Sequence, residues 1–533
     1  MPSGAPSGGE RCVQLAVWCL GAVVCTTPFA ARSTAVTAIG VTSDGTAGQQ
    51  GTTPDSASVA AVRRDLQAAL ATARKNSTAD TDSAFRVVVE APAFDALTAS
   101  EQHVALASAA ASAYHLKQYK RSQQLAIRAS ALPEQSIDDW HVRMWASMSL
   151  GDAPDEATCV ITIGHRWGHT LANEPAGLIE RIVIDVDAAK LGDERREMLQ
   201  VLYDIRWQRP DGGQPTRWWR NLSLLLMENN KSEEAIGVAT HVTDPYDVIA
   251  MLADKRYKPI LKSRDVPQNA RKAAADEVDR LKSETQNTPR SLSRVAKFAE
   301  AMTRAGMDRK ALEVTDEVVR RVESAPQGIS PYDDLESQYG WVLVRRSRAL
   351  RHLGRFDEAV ATLQHAVQWA SDKTSGAGPS HAIVLANLLC ELDRPREALD
   401  ALPSPENLSP NGLAQMELVR LTAATERGDS GEAQRALAWL REHQAQNPST
   451  VQLAQLIAGR TDEAASLLLA RLNDPVLRTD ALLELQDFAD LPAPHRKNQW
   501  RAQLKALRER PDIRSAIAQV GKIERYSSIP EVL

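Results

Sequence analysis

Aromatic residues and cysteines are both scarce in this sequence, and each shortage excludes a class of protein. Phe, Tyr and Trp make up 5% of the 533 residues, which argues against an all-β sandwich because strands favour aromatic and β-branched side chains. Of the five cysteines, Cys12, Cys19 and Cys25 lie near the N-terminus, while Cys159 and Cys390 stand far apart in the remainder. This spacing indicates neither a disulfide framework nor a cysteine-ligated metal site.

The sequence also lacks an excess of positive charge. Lys and Arg total 63 against 68 Asp and Glu, so the net charge is -5, and we expect no nucleic-acid partner. The hydrophobic content of 43% is too high for a wholly disordered chain. Because 533 residues exceed what one hydrophobic core usually serves, the chain must contain several domains or a repeat array.

No apolar run is long enough for a comfortable membrane span, which needs about 20 residues. The longest is the stretch VQLAVWCLGAVVC at 13–25, and small residues suited to cleavage follow at 33–38. This pattern fits a secretory signal peptide over residues 1–31, with a membrane anchor over residues 13–31 as the alternative. Residues 32–60, rich in Ser, Thr, Gly and Ala, read as a flexible linker. We therefore expect an exported, periplasmic protein.

Beyond residue 60 the sequence has the pattern of amphipathic helices joined by tight turns. In SRALRHLGRFDEAVATLQHAVQWA, at 347–370, Gly354 marks a turn between two helices. Ala359, Leu363 and Ala366 share one face of the second helix because four positions separate the first two and three the last two. The small size of the two alanines predicts close packing of the two helices.

The same turn-and-helix pattern recurs along the chain. Turn positions are predicted at 117, 151, 192, 230, 306, 354, 393, 428 and 459. The intervals are similar except for the one between 230 and 306, which is as long as two units, and residues 262–289 are predicted to supply the missing unit. Ala stands five positions after the turn in most of these units, as in Ala235, Ala311, Ala398, Ala433 and Ala464. The pattern predicts an all-α, helical-repeat solenoid of about ten units.

Units of about 34 residues with small packing residues and a proline after the second helix resemble the tetratricopeptide repeat (TPR) family over residues 100–475. The unit at 340–373 departs from that pattern at Leu343 and Ser347. The alternative is an irregular all-helical protein. The resemblance predicts a Trp-rich N-terminal subarray over 61–255, a C-terminal subarray over 256–475 and a helical cap over 476–533. The chain is similar to exported bacterial TPR proteins without a catalytic domain.

The sequence contains no recognisable catalytic motif. It has no GxSxG, P-loop or GxGxxG pattern, and its carboxylates are scattered over helix faces. His165 and His169 are four positions apart, as metal ligands on a helix can be, but no third ligand is identified. We therefore expect no enzyme activity, metal or cofactor. A helical-solenoid enzyme acting on carbohydrate through two inward carboxylates is the alternative.

In the TPR family the first helix of each unit lines a concave groove, which implies that exposed residues of these helices bind partner peptides. The resemblance places Trp341, Arg348 and Arg351 there in one unit, Arg217 and Arg220 in a second, and Asn387 in a third, together with Val344, His352, Leu224, Met227, Ser380, Ile383 and Cys390. Guanidinium groups bind carboxylates, so the partner is expected to be a protein with an acidic or C-terminal peptide segment. The alternative is that these arginines are solvated or paired with Glu.

The segment YDIRWQRPDGGQPTRWWR at 203–220 is unusually rich in Trp and Arg. Trp207, Trp218 and Trp219 stand beside arginines, a combination favoured in binding hot spots. We assign Arg217, Trp218 and Arg220 to a partner-binding surface, with packing between repeats as the alternative. Residues 243–261 read as a cap between the two subarrays. The predicted function is a protein-interaction scaffold, with an envelope assembly and self-association left open.

Overall fold

The computed structural model describes residues 55–74, 78–174, 177–209, 213–326, 328–372, 377–445, 447–492 and 499–531. The predicted leader at 1–31 lies outside these residues, as does most of the predicted linker. The first helix begins at Ser56, so the last residues assigned to the linker are helical instead. No helix within the described ranges has the length and apolar character needed to cross a membrane.

The described residues form 25 α-helices, and the predicted all-α repeat fold is confirmed. The helices before the middle of the chain are Ser56–Ala73 (α1), Thr78–Val89 (α2), Ala99–His115 (α3), Tyr119–Ser130 (α4), Ile137–Leu150 (α5), Ala153–Trp167 (α6), Leu178–Ala188 (α7), Gly192–Asp204 (α8), Thr216–Glu228 (α9), Ser232–Ala239 (α10), Pro245–Ala253 (α11) and Ala270–Asn287 (α12). Short 3-10 helices span Phe94–Ala96, Gly168–Asn173, Lys255–Tyr257, Ile260–Lys262 and Pro405–Asn407.

The second half continues with the same kind of element and includes two short strands near its end. Its elements are Leu292–Arg304 (α13), Asp308–Glu323 (α14), Leu335–His352 (α15), Phe356–Asp372 (α16), Gly378–Glu391 (α17), Pro395–Asp400 (α18), Pro410–Arg427 (α19), Ser430–Glu442 (α20), Pro448–Ile457 (α21), Thr461–Asn473 (α22), Arg478–Glu484 (α23), Asp487–Ala489 (β1), Gln499–Glu509 (α24), Pro511–Val520 (α25) and Arg525–Pro530 (β2). The strands pair in parallel, with Asp487 opposite Arg525 and a register shift after Phe488.

Nine helix pairs in the described ranges are joined by a tight turn, and the second helix begins two positions after the turn residue. The turn residue has positive φ, and the next N–H donates to a carbonyl five positions earlier, as Arg355 does to Leu350 at 2.9 Å. Arg206 ends α8 in the same way, but α9 begins only at Thr216. These bonds satisfy carbonyls that the helix end leaves free. The turn residues are Lys117, Gly151, Lys190, Asn230, Gly306, Gly354, Asp393, Gly428 and Gly459. Eight match the predicted positions, and the ninth stands at 190 rather than 192.

The small residue after each turn packs where the sequence pattern predicts. Ala235, Ala311, Ala398 and Ala464 are fully buried, and Ala433 is half-buried. The unit predicted at 262–289 is different, because it contains the single long helix α12, which packs between α11 and α13. The long interval between the turns at 230 and 306 therefore holds an irregular unit rather than a tenth hairpin.

The C-terminal region differs from the helical cap predicted for it. It contains β1 and β2, and it folds back onto the middle of the chain, where α23 packs on α11. Lys522 N–H donates to the Ala253 carbonyl at 2.9 Å, and the Tyr246 hydroxyl donates to the Pro530 carbonyl at 2.7 Å. In a simple solenoid each unit contacts only its neighbours, whereas here the C-terminal region also contacts the middle of the chain.

The segment at 243–261, predicted to be a cap between subarrays, is the surface on which this closure takes place. Helix α11 is almost entirely buried. Residues on both sides of the predicted boundary at 255 belong to one core, since Tyr257 and Ile260 pack with Ile249 and with Ile529 from β2. The hydrophobic core is thus continuous through the point where we expected one subarray to end.

Candidate functional site

The Trp-rich segment is part of the core, and this corrects the assignment of Trp218 to a binding surface. Trp207, Trp218 and Trp219 are 4%, 7% and 2% exposed. The rings of Trp207 and Trp218 stack with centroids 5.0 Å apart. These tryptophans therefore pack between repeats, and their clustering reflects a large core where α8 and α9 meet.

Arg220 also leaves the predicted binding surface, because it is 1% exposed and lies between two carboxylates. Its guanidinium is 2.6 Å from the Asp480 carboxylate of α23 and 3.1 Å from that of Asp247 in α11. Burial alone would lower the pKa of Arg220, but these two carboxylates raise it. Arg217 is exposed but also pairs with Asp480. Together these contacts join α9, α11 and α23, so their role is to hold the closure.

A second group of arginines gathers on α13 and α15. We define the arginine cluster as Arg304, Arg345, Arg348 and Arg351. Three of its members share the Glu300 carboxylate, with Arg345 at 2.9 Å, Arg304 at 3.3 Å and Arg348 at 3.6 Å. The side chains keep between 20% and 31% of their surface exposed, so they are held in place and still reachable.

The members of the cluster differ in their electrostatics, because burial would lower the pKa of Arg304 but Asp244 and Glu300 outweigh it and raise this pKa, whereas the pKa of Arg348 is lowered. Burial would raise the pKa of Glu300, but the attraction of Arg345, Arg304 and Arg348 outweighs it and holds this pKa at about 2. Burial and the repulsion from Arg345 lower the pKa of Arg348 to about 10. A guanidinium whose charge is disfavoured by its neighbours gains when a further anion arrives. The arrangement suits the binding of a carboxylate.

A recess beside the cluster is bordered on one side by the end of the described chain. Arg304, Arg348, Arg351 and Tyr246 line it together with Pro530 and Glu531. The remaining free volume is about 10 Å³, which is room for no more than one water molecule. A larger cavity of about 130 Å³ also borders Arg304, and it is lined by Lys297, Arg294, Arg280, Arg209 and several carboxylates.

The remaining predicted site residues lie on α15 and α17. Arg348 and Arg351 belong to the arginine cluster, and Arg351 also pairs with Glu391 of α17 at 3.3 Å. Trp341, on the same helix, is half-buried, and its ring makes an edge contact with the ring of His381 in α17, with the two ring centroids 4.8 Å apart. Asn387 is half-buried on α17. Three neighbouring first helices, α13, α15 and α17, therefore supply the site, whereas Arg217 and Arg220 belong to the closure.

The sequence pattern did not reveal Glu300, Arg304 and Arg345, nor the contribution of Tyr246 and the C-terminal segment. The basic residues Arg294, Lys297 and Arg304 recur at helical spacing on α13, and this was the available signal. The contribution of Tyr246 and Pro530 had no signal, because these residues are 284 positions apart.

The geometry does not support acid–base chemistry at this site. Glu300 is the carboxylate at the centre of the cluster, and with a pKa of about 2 it holds no proton to donate near neutral pH. Across the described part of the chain, no three His, Cys, Asp or Glu side chains are grouped as metal ligands would be. His165 is an exposed residue that lies 3.9 Å from the Glu197 carboxylate.

No protein-family model and no curated protein matches this sequence. Among solved structures, the chain is similar to the APC/C hetero-tetramer Cut9-Hcn1 at 12% identity, covering 86% of this chain and 85% of that one, with a TM-score of 0.29. Yeast Tom70 and the P58(IPK) TPR domain, also at 12% identity, give TM-scores of 0.24 and 0.18 over 86% of this chain and 99% of each of theirs. These scores are too low to carry an argument, so the TPR-like architecture depends on the helix pairs and turns described above.

Proposed function

We propose that this TPR-like solenoid is a non-catalytic scaffold that binds an acidic or C-terminal peptide segment of another protein on α13, α15 and α17. The arginine cluster is the observation that carries the proposal. Three of its four arginines, from two neighbouring helices, line a recess, and guanidinium groups bind carboxylates with two parallel hydrogen bonds.

The charge balance around the cluster supports the proposal. Within the described array, the four arginines pair with three carboxylates, those of Glu300, Asp244 and Glu391. One positive charge is therefore in excess at this place, although the whole chain carries -5. A local excess of this kind selects an anionic partner segment and does not attract polyanions to the rest of the surface.

Reversing the charge of the cluster tests this function. In Arg348→Glu/Arg351→Glu we expect partner capture, measured by crosslinking and pull-down from the native source, to fall about tenfold or more, because two attractive charges become repulsive. The matched control is Arg320→Glu/Arg435→Glu, which alters two arginines that are 72% and 75% exposed on the second helices α14 and α20. Both proteins must keep the helical circular dichroism of the wild type. Equal capture by the two double variants would contradict the proposal.

We further propose that the protein works outside the cytoplasm, in the periplasm, after removal of its leader. The apolar run at 13–25 and the small residues at 33–38 support this location. N-terminal sequencing of the protein from the cell envelope should then begin between residues 32 and 39. Recovery of the chain from the cytosol with Met1 in place would show that it is not exported.

A further inference from the structure

The last described residues of the chain form an extended segment that lies against the proposed binding surface. Strand β2 pairs with β1 at both of its ends, with Arg525 opposite Asp487 and Pro530 opposite Ala489, and it also contacts α13. The backbone comes so close to the end of α13 that a Cβ atom on Gly306 would lie 3.0 Å from the Ser528 carbonyl oxygen. A peptide bound in a groove can take this kind of extended conformation, with its backbone against small residues.

Two neighbouring side chains and one backbone group hold the end of this segment. Ile529 is 2% exposed and packs in the core beside α11, and Pro530 is buried next to it. The Pro530 carbonyl accepts the hydrogen bond from the Tyr246 hydroxyl at 2.7 Å. Arg304, a member of the cluster, lies over the ring of the same tyrosine, 5.5 Å from its centre.

The acidic residue that follows lies beside the arginine cluster and pairs with an arginine outside it. Glu531 lines the recess with Arg304, Arg348 and Arg351, and its carboxylate is 3.6 Å from Arg501 of α24. Among the described residues that line the recess, Glu531 is the one that carries a carboxylate, and three arginines of the cluster line it as well. With the segment in place, only about 10 Å³ of the recess is free, so no second peptide fits there.

The attachment of the segment is local. Arg525, Ser527 and Ser528 are exposed, and Ile529 and Pro530 are the residues of β2 that are buried. The partner strand β1 has three residues, and a two-stranded ladder of this length is marginally stable in water. The segment can therefore leave the recess while the helices around it remain folded.

From this geometry we infer that residues 525–531 are an intramolecular ligand of the arginine cluster, which must leave the recess before a partner segment of the same chemistry, an apolar residue followed by an acidic one, can bind. The inference rests on the proposed function of this surface. It deepens that function, because it makes the C-terminal segment a competitor that regulates access to the site.

The test uses the full-length chain and a fluorescent synthetic peptide with the sequence of residues 522–533, KIERYSSIPEVL. Ile529→Asp in the full chain places a charge in an apolar pocket and releases the segment. We expect fluorescence anisotropy to show at least tenfold tighter peptide binding to Ile529→Asp than to the wild type. Adding Arg348→Glu/Arg351→Glu to the released chain should remove this binding, and adding Arg435→Glu should leave it unchanged. A peptide carrying Glu531→Lys should bind at least tenfold more weakly.

Equal binding of the peptide to the wild type and to Ile529→Asp would overturn the inference. Binding to the released chain that is unchanged by Arg348→Glu/Arg351→Glu would overturn it as well. Hydrogen exchange in the wild type provides a second measurement that does not depend on the folding of a variant. The amides of residues 526–529 should exchange faster than those of α11, and exchange of both only through global unfolding would overturn the inference.

Partner capture separates this inference from the proposed function. If Ile529→Asp binds the peptide but captures partner no better than the wild type, the intramolecular ligand is real and the proposed partner function fails. If capture depends on Arg348 and Arg351 but the released chain does not bind the peptide, the proposed function stands and the intramolecular ligand fails.

Discussion

Glu156 is a carboxyl group in the interior of the N-terminal half, and neither of its oxygens has a hydrogen bond among the described residues. It is fully buried on α6 and lies near the Arg181–Asp185 pair of α7. Burial, followed by the repulsion from Asp185, raises its pKa from an ordinary 4.5 to about 8. The folded chain therefore holds a proton on Glu156 that the unfolded chain releases at neutral pH.

This difference predicts how stability changes with pH. Below about pH 4.5 Glu156 is protonated in the folded and the unfolded state, so its burial does not make the free energy of unfolding depend on pH. Between pH 4.5 and 8 the free energy of unfolding falls, because only the unfolded state gains by ionising this residue. We expect Glu156→Gln to be more stable than the wild type at pH 8 by on the order of 2 kcal/mol, with the gap closing toward pH 4. Urea unfolding at both pH values measures this. The exposed control Glu197→Gln should show no such trend, and a constant difference at all pH values would refute the account.

Arginines show what the sequence can reveal about single residues. Arg220 and Arg348 both lie on first helices at positions predicted to line the groove, yet Arg220 is sealed between two carboxylates and Arg348 faces the recess. The sequence predicted two basic groups on first helices, one with Arg217 and Arg220 and the other with Arg348 and Arg351. The prediction was wrong for Arg220, because the carboxylate that buries it comes from Asp480, 260 residues later.

The element that repeats along the chain is the hairpin with one left-handed residue at its turn. Among the nine described hairpins, glycine occupies this place in five, and Lys117, Lys190, Asn230 and Asp393 occupy it in the others. A residue with a Cβ atom pays roughly 1 kcal/mol for this backbone conformation. The four turns without glycine are therefore strained, and the packing of the two helices outweighs this strain.

The strain can be removed or introduced by one substitution. We expect Asp393→Gly, at φ 59°, to stabilise the protein by up to about 1 kcal/mol, and Gly354→Ala, at φ 75°, to destabilise it by a similar amount. A Cβ atom on Gly354 would lie 3.5 Å from Pro492, so it has space, and the backbone alone decides the result. Thermal unfolding of both variants gives the comparison. Stabilisation by Gly354→Ala would show that φ does not limit these turns.

Hairpins were predictable from the sequence because everything they need is local. The turn residue, the alanine five positions later and the apolar spacing all lie within a single repeat unit, and eight of the nine described turns stand where the pattern places them. The strands were not predictable. Strand β1 has three residues, which is too short for an alternation of apolar and polar residues to be recognised. Its partner β2 begins only at Arg525, beyond two intervening helices, so the sequence does not indicate that the two strands pair.

At the scale of the whole molecule, the part of the array from α11 to α23 is closed by the contact of these two helices. Arg220 joins the two helices through Asp480 and Asp247, and Asp254 accepts a hydrogen bond from Thr479 at 2.8 Å. A buried ion pair that loses one partner leaves an uncompensated charge, which costs several kcal/mol, whereas an exposed pair contributes little. The closure should thus depend on the buried contact rather than on the pairs at its rim.

Arg220→Met tests this dependence against a matched pair in the same region. We expect Arg220→Met to destabilise the protein by about 3 kcal/mol and to speed hydrogen exchange over residues 478–484. Lys190→Met, which removes a 75% exposed lysine 3.4 Å from Asp474, should cost less than about 1 kcal/mol. Urea unfolding and mass-spectrometric exchange measure the two effects. Equal losses would mean that the exposed and buried pairs contribute alike to closure.

Closure lay beyond the reach of the sequence for a physical reason. Periodic patterns describe which face of a helix is apolar, and α11 reads as an apolar helix whichever element covers it. The contacts that cover it join residues 225 to 284 positions apart, and nothing in their spacing marks them as neighbours. The interpretation of 243–261 as a cap between two subarrays followed from the prolines at 245 and 259 and the apolar helix between them, which are local features.

The contact between α11 and α23 also has a consequence for folding during synthesis, because it cannot form until α23 has left the ribosome. The helix α11 emerges early, but α23 follows it by about 225 residues. At translation rates of about 5–20 residues per second, α11 waits on the order of 10–50 s with an apolar surface uncovered. The nascent protein therefore passes through a long stage in which α11 exposes an apolar surface because α23 has not yet been synthesised. A chaperone that shields α11 would act during this stage.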